Sequence, residues 1–188
     1  MIRRLIILLL IVGNCGDNLI DEVKERYDNG ELKVVEYYKK VGDSQELIRK
    51  REYYENGQIK EEENYKAGKY IKYYKYGQIW FKGIYKDGER DNKWIWYHKN
   101  GQISKEGIYK DGKRDGKWHR YYKNGQIIEE LNFKDGELDG KYDAYYENGQ
   151  IRIERNYKDG ALDGKWIYYN ENGNIKKVEE YKDGEKIY

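Results

Sequence analysis

GKWHRYYKNGQIIEELNFKDGELDG, residues 116–140, returns one register later as GKYDAYYENGQIRIERNYKDGALDG, residues 140–164. Two kinds of glycine pair punctuate it. Asn124-Gly125 lies between runs of strand-forming residues, and both members of such a pair tolerate the positive φ of a type I′ hairpin turn. The second punctuation, Lys134 to Lys141, holds two Asp-Gly pairs and reads as a loop of four to six residues joining one hairpin to the next. Between them lie two strands, Lys117–Lys123 and Gln126–Phe133. The stretch is one β-hairpin and its connection.

Aligned on the turn glycine, the pattern recurs at Gly57, Gly77, Gly101, Gly125, Gly149 and Gly173, with intervals of 24 residues after the first, which is 20. The short interval removes residues from the loop at Lys66–Tyr70. Asp28-Asn29-Gly30 is a degenerate earlier copy, separated from the next by an insertion within Val41–Lys50. The expected fold is therefore all-β, an elongated, twisted, solenoid-like antiparallel sheet of about seven tandem β-hairpin repeats. Residues 26–188 are its repeat domain, and residues 15–25 are read as an N-terminal linker.

Fixed positions mark what packs. An Ile stands two residues after each turn glycine and an aromatic eight after it, from Ile59 and Tyr65 to Ile175 and Tyr181. Their even spacing predicts one shared face. Before the glycine, an aromatic stands at minus seven (Tyr70, Trp94, Trp118, Tyr142, Trp166) and a Tyr at minus four (Tyr53, Tyr73, Tyr97, Tyr121, Tyr145, Tyr169). These two rows have opposite parity, which requires either aromatics on both faces or a bulge between them.

Composition agrees with an extended sheet. Charged residues make up 38% of the chain, but 23 Tyr and 5 Trp supply packable surface that disordered chains lack. Pro is absent, so nothing interrupts strand hydrogen bonding. Arg3 and Arg4 are the only charges in residues 1–14, and the remainder carries equal numbers of basic and acidic side chains. That balance disfavours nucleic acid as a partner.

Residues 1–14 read as a signal peptide: Arg3 and Arg4, a short apolar run Leu5–Val12, then small or polar residues. The run is too short to span a bilayer. Val12-Gly13-Asn14-Cys15 resembles the lipobox of a bacterial lipoprotein signal, departing from it at Asn14. That resemblance implies lipidation of Cys15, membrane anchoring, and a periplasmic or cell-surface location; ordinary cleavage implies secretion.

No constellation supports catalysis. His98 and His119 stand where other repeats have Tyr or Ile, and neither has a Cys or second His at metal-ligand spacing. Asp111 with Asp115, or Asp135 with Asp139, supplies too few oxygens for Ca²⁺, and Asp-Gly is what a tight turn uses. There is no phosphate loop and no nucleophile elbow. A non-enzymatic protein without metal or cofactor is expected.

The hairpin with Asn100-Gly101-Gln102-Ile103 and Lys110 to Trp118 (KDGKRDGKW) resembles the variant form of the MORN repeat found in bacterial proteins. The resemblance implies strings of β-hairpins used as scaffolds or binding surfaces. The resulting expectation is an exported scaffold that presents an aromatic β-surface, drawn from Trp94, Trp118, Trp166, Tyr97, Tyr121, Tyr145 and Tyr169, to a protein partner at the bacterial envelope. Two alternatives stand beside it. Aromatic hairpins such as Trp166–Gly173 also suit a carbohydrate- or choline-binding cell-wall module, and the family includes antitoxin-like proteins, an intracellular role that requires residues 1–14 not to direct export.

Overall fold

The computed structural model describes residues 19–188. Residues 1–14, read above as a signal peptide, and Cys15 lie outside the described residues. Two compact units divide the described residues, with the boundary between Lys82 and Gly83. The described residues form sixteen strands and no helix. In the first unit β1 (Leu19–Arg26), β2 (Leu32–Val41), β3 (Ser44–Tyr53), β4 (Ile59–Asn64) and β5 (Lys69–Tyr73) pair antiparallel in sequence order. Strand β6 (Ile79–Lys86) crosses the boundary. The second unit continues with β7 (Glu89–Tyr97), β8 (Ile103–Lys110), β9 (Lys113–Tyr121), β10 (Ile127–Lys134), β11 (Glu137–Tyr145) and β12 (Ile151–Lys158). It ends with β13 (Ala161–Leu162) and β14 (Gly164–Tyr169), which both pair antiparallel with β12, and with β15 (Ile175–Lys182) and β16 (Glu185–Lys186), which follow β14 in antiparallel order. The all-β fold of tandem antiparallel hairpins read from the sequence is the one observed.

Three local expectations are corrected. First, the Asn-Gly turns are not type I′. At each of the seven turn glycines, the glycine N–H donates to the carbonyl three residues back, as from Gly125 to Tyr122 (3.0 Å), while Tyr122 N–H donates to Gln126 O (2.8 Å). This is a three-residue loop, a type I turn closed by a glycine in the left-handed region. The asparagine keeps an ordinary negative φ because its side chain has other work: Asn124 Oδ1 accepts the Gln126 N–H at 3.0 Å.

Second, the connection is tighter than the expected four-to-six-residue loop. Lys134 pairs directly with Glu137, leaving only Asp135 (φ 52°) and Gly136 (φ 98°) in the turn. The type I′ geometry belongs to this Asp-Gly pair, since Asp is among the few side chains that tolerate positive φ. The second pair, Asp139-Gly140, is inside β11, where Gly140 at φ 99° breaks the strand's register. In β7 the same position is Asn92 at φ 60°. The residues missing from the short repeat are therefore strand residues: β5 has 5 residues where β7, β9 and β11 have 9.

Third, residues 19–25 are not a linker. They are most of β1, the first strand of a hairpin that turns at Gly30 and pairs with β2, for example Val23 with Val35. The apolar alternation there is weak, so tertiary pairing and not local pattern orders it. The insertion before the second repeat lengthens β2 and β3 to 10 residues each around the turn Gly42-Asp43.

The pairing settles the parity question: Trp94 and Tyr97 lie in β7 with no extra residue between them, so their rows take opposite faces, and a bulge lies in the partner strand instead. Tyr97 pairs with Ile103 but Trp96 pairs with Lys105, so Ser104 is an extra residue in β8. Ile128, Arg152 and Lys176 are its counterparts in the following hairpins and Lys60 in the first unit. The bulge reverses the Ile side chain, which lies on the face of the minus-four Tyr and not, as its even spacing predicted, with the plus-eight aromatic. Both faces of the sheet therefore carry aromatic rows.

Candidate binding surface

On one face of the second unit the minus-seven and plus-eight rings interlock. Trp94 meets Tyr85 edge-on at 5.0 Å, and Trp118 meets Tyr109 at 5.0 Å and Phe133 at 6.1 Å. Each of these two indoles lies flat on a glycine of the neighbouring strand, Gly83 beneath Trp94 and Gly107 beneath Trp118. Each donates its indole N–H to a backbone carbonyl, Ile84 O or Ile108 O, at 3.0 Å. Trp94 is 0% and Trp118 3% exposed. They are core, and the expectation that they line a binding surface is corrected. A thin sheet has no second layer to bury its face, so its largest rings must bury each other. Trp166 is half-buried beneath the Arg155 guanidinium, 3.9 Å away, with its indole N–H unpartnered.

The tyrosines expected to share that surface occupy the opposite face. Tyr121 donates to Glu106 (3.0 Å), Tyr145 to Glu130 (2.7 Å), and Tyr169 to Glu154. Each bond runs from one hairpin to its predecessor, so the row couples repeats. His119 joins it, its Nε2 3.2 Å from Glu130. Tyr97, half-buried, holds the same register opposite Ile103. At the loops a further ladder forms: Tyr122 and Tyr146 donate to the carbonyls of Tyr145 and Tyr169, and His98 Nε2 meets Tyr121 O at 3.0 Å in the position of those tyrosines. Asn100 and Asn148 donate to the next loop's carbonyls, Lys123 O and Glu171 O. Neither histidine belongs to a reactive cluster.

Burial, reinforced by the glutamate partners, pushes the Tyr121 and Tyr142 phenols up to about 12 and Tyr145 higher still. A folded pKa above the usual ~10 of tyrosine means the unfolded chain ionises first on raising pH. The stabilisation is complete below about pH 10 and is lost as pH rises through about 12. Alkaline titration should therefore show phenolate absorbance and loss of β-sheet circular dichroism rising together over that window. Tyr145→Phe should cost about 1 kcal/mol at neutral pH, as one hydrogen bond does, and flatten the alkaline slope.

What the repeat-based reading missed lies around Trp96. Its position, minus five, is occupied by Lys72, Arg120, Ala144 and Tyr168 in other repeats, so no period exposes it. Lys105, directly cross-strand, holds its ammonium 4.1 Å from the Trp96 ring centroid. Arg90 lies 4.7 Å over Trp94 and donates to Tyr109 Oη at 3.1 Å; Arg114 lies 4.2 Å over Phe133. Burial, together with Arg114, Arg90 and Arg120, holds the Lys105 ammonium below its usual range. The nearest acid pairing on this face is Arg120 with Glu129, at 2.7 Å. The signal available in the sequence was departure from the repeat, not agreement with it.

A family model described as the MORN repeat variant matches residues 49–67, 90–111, 114–135, 138–159 and 162–183. A search of curated proteins finds no match. The matched segments each span one three-residue Asn-Gly turn and its two strands, and the turns at Gly30 and Gly77, outside them, have the same hydrogen bonds. With more than half of its residues covered by these matches, and with hairpins of one design throughout, the chain belongs to the MORN repeat variant family.

Proposed function

We propose that this protein is a non-catalytic scaffold whose repeated hairpins present a continuous β-surface to a protein partner at the bacterial envelope. The observation that carries the reading is the division of labour between positions. The recurring residues are spent on the sheet itself, on tryptophan packing, tyrosine–glutamate bonds and asparagine links between loops. The residues that vary, Trp96 with Arg90, Lys105 and Arg114, remain half-buried or exposed on one face. Such a face suits recognition by surface contact. The burial of Trp94 and Trp118 leaves the carbohydrate- or choline-binding alternative without two of its three tryptophans.

Export and anchoring belong to the same proposal. Arg3, Arg4, the apolar run to Val12 and Cys15 supply a lipoprotein-type signal, with lipidation of Cys15 placing the repeats at the membrane surface. Two measurements test the reading. Metabolic lipid labelling should disappear in Cys15→Ser, and a chain found in the cytoplasm with Met1 intact contradicts export. Crosslinking and affinity capture from the native envelope should recover a stoichiometric partner; recovery of the bait alone contradicts the scaffold role.

A further inference from the structure

We infer that the Trp96 face of the second unit is a docking site for an acidic protein segment, with Arg90, Lys105 and Arg114 receiving its carboxylates. The inference rests on the scaffold reading and names the face used and the chemistry of the partner.

Charge complementarity carries it. Three consecutive strands, β7, β8 and β9, each contribute one cation to the same face, and neighbouring strands lie about 4.8 Å apart. Several other cations of the second unit are neutralised locally: Lys93 by Glu106 at 2.9 Å, Lys141 by Asp143 at 2.9 Å, Lys182 by Asp163 at 3.1 Å. Among the described residues, Arg90, Lys105 and Arg114 form no ion pair with a carboxylate. They rest instead on aromatic rings: Arg90 on Trp94 and Tyr109, Lys105 on Trp96, and Arg114 on Phe133 and Trp118. A ring face is a weak substitute for an anion. Stacking also fixes the two guanidiniums in place, which lowers the entropy cost of receiving a planar carboxylate in two parallel hydrogen bonds.

The surface is reachable. Arg114 is exposed, and Arg90, Trp96 and Lys105 are half-buried. The patch is also bounded: the next acid across the sheet, Glu129, is already engaged by Arg120 and by Tyr142, which donates to it at 2.8 Å. An extended acidic segment crossing β7 to β9 meets three unpaired cations, with Trp96 between them for its side chains to pack against.

The test uses the full chain and a labelled oligoglutamate peptide at low ionic strength, read by peptide anisotropy and by tryptophan fluorescence. Saturable binding is expected, weakening as salt is raised. Lys105→Glu and Arg114→Glu should each weaken it about tenfold or more. Lys93→Glu makes the same change in net charge on the opposite face and should alter it by less than about twofold. Lys105→Gln, with circular dichroism as a folding check, covers the case in which the reversal disturbs the sheet.

No saturable binding by the folded wild type overturns the assignment. So does equal loss from Lys93→Glu and Lys105→Glu, which indicates net charge alone. Tighter binding of polyphosphate or of phosphatidylserine vesicles than of oligoglutamate overturns it in favour of phosphate groups. If a partner captured from the envelope is retained by Lys105→Glu, the scaffold reading stands and this site for it falls.

Discussion

Trp94→Ala should destabilise the second unit by about 3–5 kcal/mol, the range for removing a fully buried large aromatic. The side chain is 0% exposed, touches Tyr85, Trp96 and Tyr109, and carries Arg90 on its ring. Truncation opens a cavity that a single sheet cannot close by shifting a second layer, and it leaves Ile84 O without its 3.0 Å donor. Against a typical domain stability of about 5–15 kcal/mol, one such change is a large fraction of the whole. Urea unfolding followed by circular dichroism measures it. Tyr76→Ala, at a side chain 76% exposed, is the control and should shift stability by no more than about 0.5 kcal/mol. A Trp94→Ala protein with unchanged stability would mean that the indole row is not the core.

Gly107→Ala should also destabilise, by about 1–3 kcal/mol or more, although alanine is ordinarily the better strand residue. A Cβ at Gly107 would lie 2.1 Å from Cδ2 of Trp118, inside the indole ring. The strand would have to move away, or the indole would have to leave its hydrogen bond to Ile108 O. The sign is diagnostic, because without the indole the same substitution is neutral or favourable. Combining Gly107→Ala with Trp118→Leu should therefore cost less than the sum of the two single changes, a coupling expected for residues in contact. Gly83 beneath Trp94 obeys the same rule, with its Cβ 2.2 Å from that ring. Where the opposing residue is Leu131 or Glu63, the ring is a half-buried tyrosine, Tyr142 or Tyr70.

These two residues also show how far the sequence can be read. Trp94 and Trp118 were legible as members of a row, but the pairing of each with a glycine was not, because the partners are eleven residues apart across a turn whose register is unknown beforehand. The same holds for the turns. Asn-Gly and Asp-Gly look equivalent on paper, yet only the aspartate of Asp135-Gly136 takes positive φ, while Asn124 stays in ordinary backbone and spends its side chain on Gln126. The choice depends on what lies one repeat away: asparagines of this row, Asn100 and Asn148, bond to the loop that follows them. The candidate site was hidden for a related reason. Trp96, Lys105 and Arg114 occupy positions where the repeats differ, and periodicity finds only positions where they agree.

By itself the sequence determined the unit and its count. Glycines that must take positive φ recur at a fixed interval, strand-forming residues fill the space between, and nothing but a series of hairpins satisfies both. Only the tertiary structure decided which face each side chain occupies. Side chains alternate with a period of two, so the single extra residue at Ser104, and at its counterpart in each neighbouring hairpin, sends the Ile and the distal aromatic to opposite faces. That one-residue shift brings the distal aromatics onto the face of the buried tryptophans, and it places Lys105 beside Trp96.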